Sequence, residues 1–152
     1  MIIQFGVPED IQSWMILVRK VSWNFPGLET EEELLEHEKT VLKFMNQNRA
    51  ICAKNNDKIV GVLLFSRKYN QLCCMAVDPE YRRQRIASAM FDKMLTIADP
   101  TRDLIVSTFR EEDPKGAAPR NFYRSKGFVE GELVMEYKCP SQVFILHPAN
   151  RL

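Results

Sequence analysis

The sequence has few residues of the kinds that build metal centres or disulfide frameworks. Two histidines, His37 and His147, stand far apart among 152 residues, and the four cysteines show no C-x-x-C spacing. A structural zinc site needs about four such ligands, usually closely spaced in pairs, so we expect no metal site. Free cysteines without a pairing pattern are typical of a reducing compartment and favour a cytoplasmic location. The cysteines are Cys52, Cys73, Cys74 and Cys139.

Neither sign of charge dominates the chain. The 21 Lys and Arg residues against 20 Asp and Glu residues give a formal net charge of +1. General nucleic-acid binders carry a marked excess of positive charge on one face, so we expect no nucleic-acid partner. No apolar run approaches the roughly 18 residues that cross a membrane, and the first residues lack a basic signal segment. We therefore expect no membrane partner either.

The order of hydrophobic patterns predicts a mixed α/β (α+β) chain that folds as one domain over residues 1–152. Helices are predicted from Pro8 past Val18, from a capping box at Thr30 to about Asn46, over about Gln84 to Ala98, and around Pro119 to Arg124. Strands are predicted over Ile2 to Phe5, Ala50 to Ala53, Lys58 to Ser66, Leu72 to Val77, Leu104 to Thr108, Phe128 to Tyr137 and Val143 to Leu146.

The most informative segment is Val77–Met90, which reads V-D-P-E-Y-R-R-Q-R-I-A-S-A-M. The apolar run before it predicts a strand buried on both faces. Beyond Asp78-Pro79, apolar residues four apart predict a helix whose first turn begins near Arg83. A helix N-terminus offers free N–H groups and the positive end of the helix dipole. With three arginines beside it, this turn is predicted to bind a phosphate or pyrophosphate.

The same segment resembles the acetyl-CoA signature of the GNAT superfamily of N-acetyltransferases. That signature, [Q/R]-x-x-G-x-[G/A], maps onto Arg82 through Ala87. Arg85 stands where the family usually has its first glycine. We expect ordinary helical dihedral angles at Arg85, because the family loop is largely the opening turn of the helix and a left-handed arginine costs about 1–2 kcal/mol. Ala87, at the second small position, keeps the backbone approachable.

A second motif, Asn121–Phe128, resembles the F-Y-x-x-x-G-F sequence with which GNAT proteins end their last helix. Gly127 suits the left-handed residue that terminates such a helix. The resemblance implies that Tyr123 lies near the sulfur of CoA and protonates the departing thiolate. The alternative is that Tyr123 is a core aromatic whose hydroxyl is bonded to a backbone group.

The resemblance implies a GNAT acyl-CoA N-acyltransferase fold, with a central mixed and mostly antiparallel sheet flanked by helices. It implies acetyl-CoA as co-substrate, held between two strands that splay apart at the sheet centre. Main-chain contacts to the pantetheine arm would come from Met75, Ala76 and Val77. Contacts to the pyrophosphate would come from Arg83, Gln84, Arg85, Ile86, Ala87 and Ser88.

The acceptor side is less defined by the sequence. Glu111 or Glu112, after the splayed strand, is a candidate general base, although acidic residues in a loop are commonly only solvated. The acids of Glu29–Glu33 lie near Trp23 and Phe25 in sequence, and an acidic, aromatic rim suits a cationic amine. Many GNAT members have an asparagine seven residues before the motif tyrosine. Gly116 occupies that position here, so we do not carry that contact over.

Two functions follow from the resemblance. The first is an N-acetyltransferase that moves the acetyl group of acetyl-CoA directly to a primary amine of a small molecule, peptide or protein. The second is a non-catalytic acyl-CoA-binding or regulatory module on the same fold. The retained Tyr123 favours the enzyme. A homodimer is left open as its assembly.

Overall fold

Within residues 1–151, which the computed structural model describes, seven strands form one sheet and four helices cover its two faces. The sheet order is β1-β2-β3-β4-β5-β7-β6, and β4 and β5 are its parallel pair. This is the mixed, mostly antiparallel sheet that was predicted. The strands are β1 Ile2–Phe5, β2 Ala50–Asn55, β3 Lys58–Ser66, β4 Gln71–Val77, β5 Leu104–Phe109, β6 Val129–Glu136 and β7 Cys139–Leu146. The helices are α1 Ile11–Val21, α2 Glu31–Asn46, α3 Ile86–Leu95 and α4 Ala117–Ser125.

The start of α2 shows how local signals set an element. Thr30 Oγ1 accepts the Glu33 N–H at 3.1 Å, and Glu33 Oε1 accepts the Thr30 N–H at 3.0 Å. This reciprocal pair is the predicted capping box, and it satisfies two donors that a helix start otherwise leaves free. The helix then runs to Asn46, as predicted.

Each face of the sheet buries its own apolar cluster. On one face α1 and α2 contribute the fully buried Trp14 and Val41, and on the other α3 contributes Met90 and Met94. Gly61 of β3 allows α3 to approach closely, because a Cβ there would lie 2.9 Å from Ile86 Cγ2. The first turn of α3 is therefore fixed against the sheet, beside the end of β4.

Strand β4 is not buried on both faces, contrary to the prediction. Only Leu72 of the run Leu72–Val77 is buried, Cys73 is exposed and the remaining four residues are half-buried. The reason is the pairing with β5, which is limited to Gln71 opposite Ile105 and Leu72 opposite Val106. Beyond Leu72 the two strands diverge, so the apolar residues of β4 border a cleft instead of a neighbouring strand.

The described part of the chain contains no helix long and apolar enough to cross a membrane. Among residues 1–151, three or more His, Cys, Asp or Glu side chains nowhere form a group that could hold a metal ion.

Candidate active site

A cavity of about 1410 Å³ lies where β4 and β5 diverge, and we call it the β4–β5 cleft. Its floor is formed by the half-buried part of β4 and by the middle of β5. One end is bounded by the loop before α3, and α4 lies along the side. The opposite wall is formed by α2, the loop that precedes it and the turn between β6 and β7.

A β-bulge interrupts β4 at the point where it leaves β5. Leu64 pairs with Cys74 while Phe65 pairs with Leu72, so Cys73 is the extra residue. A bulge leaves its extra residue out of the ladder and bends the strand. The cleft therefore begins at a place where backbone polar groups are free to turn toward it.

The residues beyond the bulge also have one edge turned to the cleft. Met75, Ala76 and Val77 pair with Leu63, Val62 and Gly61 of β3 on one side. Within residues 1–151 their other side has no strand partner, because the β5 pairing ends at Leu72. The structure thus brings all three predicted pantetheine contacts to the cleft, and the contacts themselves stay a prediction.

The turn after β4 is held by a buried carboxylate. Asp78, 1% exposed, accepts the Glu80 N–H at 3.0 Å and lies 2.9 Å from Lys20 Nζ. Burial alone would raise the pKa of Asp78, but the Lys20 ammonium and the Glu80 N–H together keep it below its ordinary value. Asp78 is therefore ionised at neutral pH and fixes the direction in which the arginine loop leaves the strand.

The arginine loop corrects the prediction for Arg85. Its φ and ψ are 60° and 25°, in the left-handed region, and Arg83 also has a positive φ of 64°. Helix α3 begins at Ile86, with Arg85 as its N-cap, and not near Arg83 as predicted. The chain must turn sharply between Tyr81 and the helix, and it does so with a positive φ at the position where the family has glycine. Arg85 therefore bears the left-handed strain, about 1–2 kcal/mol, that the prediction avoided.

We expect Arg85→Gly to raise the free energy of unfolding by about 1 kcal/mol, because glycine adopts a positive φ without steric cost. We also expect weaker acetyl-CoA binding, since an exposed guanidinium is lost from the cleft. Chemical denaturation and titration calorimetry measure the two effects.

Gln84→Gly is the matched control for Arg85→Gly. Gln84 has no positive φ and does not line the cleft, so glycine there should lower stability through chain entropy and leave acetyl-CoA affinity unchanged. If Arg85→Gly tightened acetyl-CoA binding, the arginine would be shown to strain the loop without contacting the ligand.

Tyr123 points from α4 into a densely packed part of the cleft. Its side chain is 5% exposed and its ring lies 5.4 Å from that of Phe128 and 6.1 Å from that of Phe144. Burial raises the pKa of its hydroxyl above the ordinary value, with the neighbouring Cys74 adding to the shift. Within residues 1–151 the hydroxyl has no hydrogen-bond partner, whereas the core alternative predicted a backbone partner. Tyr123 therefore presents a protonated, uncommitted hydroxyl to the cleft.

The end of α4 follows the predicted motif. Gly127 has φ 95°, and the Phe128 N–H donates to the Tyr123 carbonyl at 3.0 Å across the left-handed turn. This confirms the helix-ending role of Gly127.

Arg120, which the sequence reasoning missed, fixes α4 against three strands. It is 2% exposed and donates to the Phe109 carbonyl at 3.1 Å, to Gln142 Oε1 at 2.8 Å and to Glu130 Oε1 at 2.9 Å. Residues three apart share a helix face, so these bonds also fix the direction of Tyr123. A lone arginine in a polar segment gives no sequence signal for such a role.

Gly116 precedes α4, and a side chain at this position would be tightly packed. A Cβ at Gly116 would lie 3.1 Å from both the Arg110 carbonyl oxygen and Phe109 Cβ. The packing therefore gives no support for the cofactor contact that many GNAT members make through an asparagine at this position.

The structure does not bring Glu111 into the cleft. Glu111 and Glu112 are exposed in the turn after β5, and neither lines the cavity. The reason is that β5 ends at Phe109 and the chain turns outward before α4. The general-base prediction for Glu111 therefore has no support from its position.

The acidic acceptor rim is formed by α2. Of the predicted acids, Glu32 and Glu33 line the cleft together with Trp23 and Phe25. Glu33 is held by the capping box, and Glu31 is turned to Arg19, which its carboxylate contacts at 2.7 Å. The rim therefore contains fewer of the predicted acids than the sequence suggested.

Three further residues line the same side of the cleft, and no sequence signal pointed to them. His37 of α2 lines the cleft, and its Nε2 is buried without a partner among the described residues. Burial lowers the pKa of His37, so the imidazole is neutral at pH 7. Glu136 and Tyr137 come from the β6–β7 turn. Tyr137 contacts Gly27, where a Cβ would lie 2.9 Å from the ring, so this turn closes against the loop before α2.

Comparisons with known proteins agree with this geometry. The family model described as the acetyltransferase (GNAT) domain matches residues 46–130. No curated protein sequence matches the chain significantly. Similar solved structures include a GNAT family acetyltransferase from Bacillus cereus, with TM-score 0.75 and 18% identity over 99% of this chain and 97% of that one.

Two other similar structures hold ligands. PaiA N-acetyltransferase from Thermoplasma acidophilum, in complex with coenzyme A, has TM-score 0.68 and 14% identity over 93% of this chain and 96% of its own. Diaminobutyrate acetyltransferase EctA from Paenibacillus lautus, in complex with its substrate and coenzyme A, has TM-score 0.70 and 17% identity over 97% of this chain and 94% of its own. At such identities the likeness shows the fold alone.

Proposed function

Because this chain belongs to the GNAT acetyltransferase family, we propose that it transfers the acetyl group of acetyl-CoA directly to a primary amine. The observation that carries the proposal is the β4–β5 cleft. It connects an arginine-rich loop at one end with a free, protonated Tyr123 hydroxyl and the β4 bulge.

The residues present suit acetyl-CoA as co-substrate. Arg82, Arg83 and Arg85 line the cleft beside the start of α3, where anionic phosphates are favoured by both charge and the helix dipole. Ala87 and Ser88 are small and half-buried, so they leave the backbone approachable. The apolar floor of β4 suits the pantetheine arm, and the similar structure from Thermoplasma acidophilum is a complex with coenzyme A, which supports acetyl-CoA as the co-substrate.

The transfer itself needs three things from the protein. The ammonium form of the acceptor must lose one proton, and its nitrogen then forms a bond to the thioester carbon. As the C–S bond breaks, the new amide nitrogen loses its second proton and the departing thiolate takes one up. The neutral His37 and the carboxylates of Glu32 and Glu36 line the acceptor side and are able to take the first proton. Tyr123 supplies the proton that the thiolate receives.

Direct transfer is favoured over an acyl-enzyme route by the state of the nearby thiols. Burial raises the pKa of Cys74 to about 12, and the neighbouring protein groups partly desolvate the surface-exposed Cys73 and raise its pKa above the ordinary value. Because the thiolate is the nucleophilic form, neither cysteine is activated to accept the acetyl group at neutral pH. The amine is therefore the first and only acceptor in the proposed reaction.

A release assay for free CoA thiol across a panel of primary amines tests this function. We expect amine-dependent thiol release and a product heavier by one acetyl group, detected by mass spectrometry. The panel should hold diamines, amino acids and free-amino-terminal peptides. Tight acetyl-CoA binding without turnover on any amine would instead support the non-catalytic acyl-CoA-binding module.

A further inference from the structure

A second cavity, of about 970 Å³, lies beside the β4–β5 cleft. It is formed by the C-terminal end of α2, the turn between β3 and β4, and the β6–β7 turn. Cys73, Glu136 and Tyr137 line both cavities. The two cavities therefore adjoin at the β4 bulge and at the β6–β7 turn.

Four cations line this second cavity, which we call the basic groove, against one acid, Glu136. The cations are Lys43, Arg49, Arg67 and Lys68. Within residues 1–151 none of the four forms an ion pair. The groove therefore carries uncompensated positive charge beside a cleft whose acceptor wall is acidic.

The two arginines of the groove are held in place by uncharged partners. Arg67 donates to the carbonyls of Gln47 at 2.7 Å and Asn48 at 3.1 Å, and both acceptors are neutral. Arg49 lies over the Phe44 ring at 4.0 Å, and its Nε is buried without a hydrogen-bond partner among the described residues. Ordered guanidinium groups that keep their full charge are well suited to a carboxylate.

The separation of charges along α2 sets the length of the ligand. Glu36 lines the cleft and Lys43 lines the basic groove. Seven residues of α-helix rise about 10 Å, and an extended chain covers about 3.3–3.6 Å per residue. About three extended residues therefore span the distance, which exceeds the reach of a single amino acid.

We propose, resting on the proposed acetyltransferase function, that the acceptor is the amino terminus of an acidic polypeptide segment. Its terminal amine enters the β4–β5 cleft past Tyr137, toward Glu36 and His37. The following residues lie in the basic groove, where side-chain carboxylates at about the second to fourth positions meet Lys43, Arg49, Arg67 and Lys68. The acidic wall thus attracts the ammonium group and the basic groove selects the chain attached to it.

Peptide acceptors of matched length test the inference. Two lysine-free peptides with free amino termini and amidated carboxyl termini should differ only in Glu or Gln at positions two to four. We expect kcat/KM to be about tenfold higher for the Glu peptide, a difference of about 1.4 kcal/mol. The advantage should shrink as the salt concentration rises from about 0.05 to about 0.5 M. Free amino acids and diamines form the comparison arms.

Charge reversal locates the preference in the groove. In the double variant Lys43→Glu and Lys68→Glu, the ratio of the two kcat/KM values should fall to about one. Both lysines are exposed, so folding is expected to survive. Lys93→Glu with Lys126→Glu is the control with the same change of charge, because neither residue lines a cavity. That control should keep the ratio of the unmodified protein.

The outcomes separate this inference from the function on which it rests. Transfer to amines without any preference for the Glu peptide, or with a preference for diamines, overturns the proposal of an acidic-segment acceptor. The proposed acetyltransferase function is unaffected by that result. If no amine is acetylated, the proposed function fails. Fluorescence anisotropy of labelled peptides with bound CoA then still tests the groove, and equal affinity for the Glu and Gln peptides would overturn it.

Discussion

Tyr123→Phe is expected to lower the turnover number by about 10²–10⁴-fold, the usual contribution of a positioned general acid. The side chain is buried beside the cleft, and its hydroxyl keeps its proton at neutral pH and has no hydrogen-bond partner within residues 1–151. Removing it leaves the ring packing against Phe128 and Phe144 intact. Steady-state kinetics with the best amine of the panel measures the loss, and acetyl-CoA affinity should remain nearly unchanged.

The contrary outcome for Tyr123→Phe is a change in stability without a loss of turnover. If the tyrosine serves only the core, losing one hydroxyl should change the free energy of unfolding by about 1 kcal/mol and leave turnover intact. Thermal midpoint and turnover measured on the same preparation separate the two roles. Full turnover in the variant would remove Tyr123 from the mechanism.

Features with a short-range cause could be predicted from the sequence. The capping box of Thr30 and Glu33 joins residues three positions apart, and the left-handed Gly127 ends the helix that directly precedes it. The strands and helices around the two motifs were also placed within a few residues, since apolar periodicity reports the buried face of each element. These features predicted the order of the elements, and the resemblance to the GNAT superfamily supplied the mixed sheet and its flanking helices.

Features set by distant neighbours were predicted wrongly. Leu72–Val77 reads as a strand buried on both faces, but its burial depends on whether β5 stays beside it, and β5 diverges after Val106. Arg85 was expected to have helical dihedral angles because the loop of the resembled family is largely the opening turn of the helix and a left-handed arginine is strained. Its left-handed backbone comes from the turn that joins the end of β4 to a helix held close to Gly61.

The acceptor side was mostly beyond sequence reasoning because its members come from distant segments. His37 and Tyr137 are one hundred positions apart, and neither belongs to a motif. They line the same cleft because the β6–β7 turn contacts Gly27, in the loop before α2. The prediction of an acidic rim before α2 was correct only for those glutamates that the helix turns toward the cleft. Glu111 failed as a candidate base because nearness to β5 in sequence does not set the direction of the following turn.

Ala87→Glu is expected to weaken acetyl-CoA binding by at least about tenfold, or about 1.4 kcal/mol. Ala87 is half-buried, lies in the first turn of α3 and lines the cleft beside Arg83 and Arg85. A carboxylate there would oppose the anionic pyrophosphate at short range, and near a protein surface such a repulsion amounts to about 4 kcal/mol at 4 Å before relaxation. Titration calorimetry measures the loss, which should lessen as salt screens the repulsion.

The same substitution separates binding from folding, because a carboxylate in the first turn of a helix stabilises it by about 0.3–1 kcal/mol. Ala87→Glu should therefore retain or raise the thermal midpoint while it loses the ligand. Ala87→Gln is the matched control for bulk, and it should lose less affinity than Ala87→Glu, with little dependence on salt. Unchanged acetyl-CoA affinity in a folded Ala87→Glu protein would show that the pyrophosphate lies elsewhere. The arginine loop would then need another ligand to account for its strained backbone and exposed guanidinium groups.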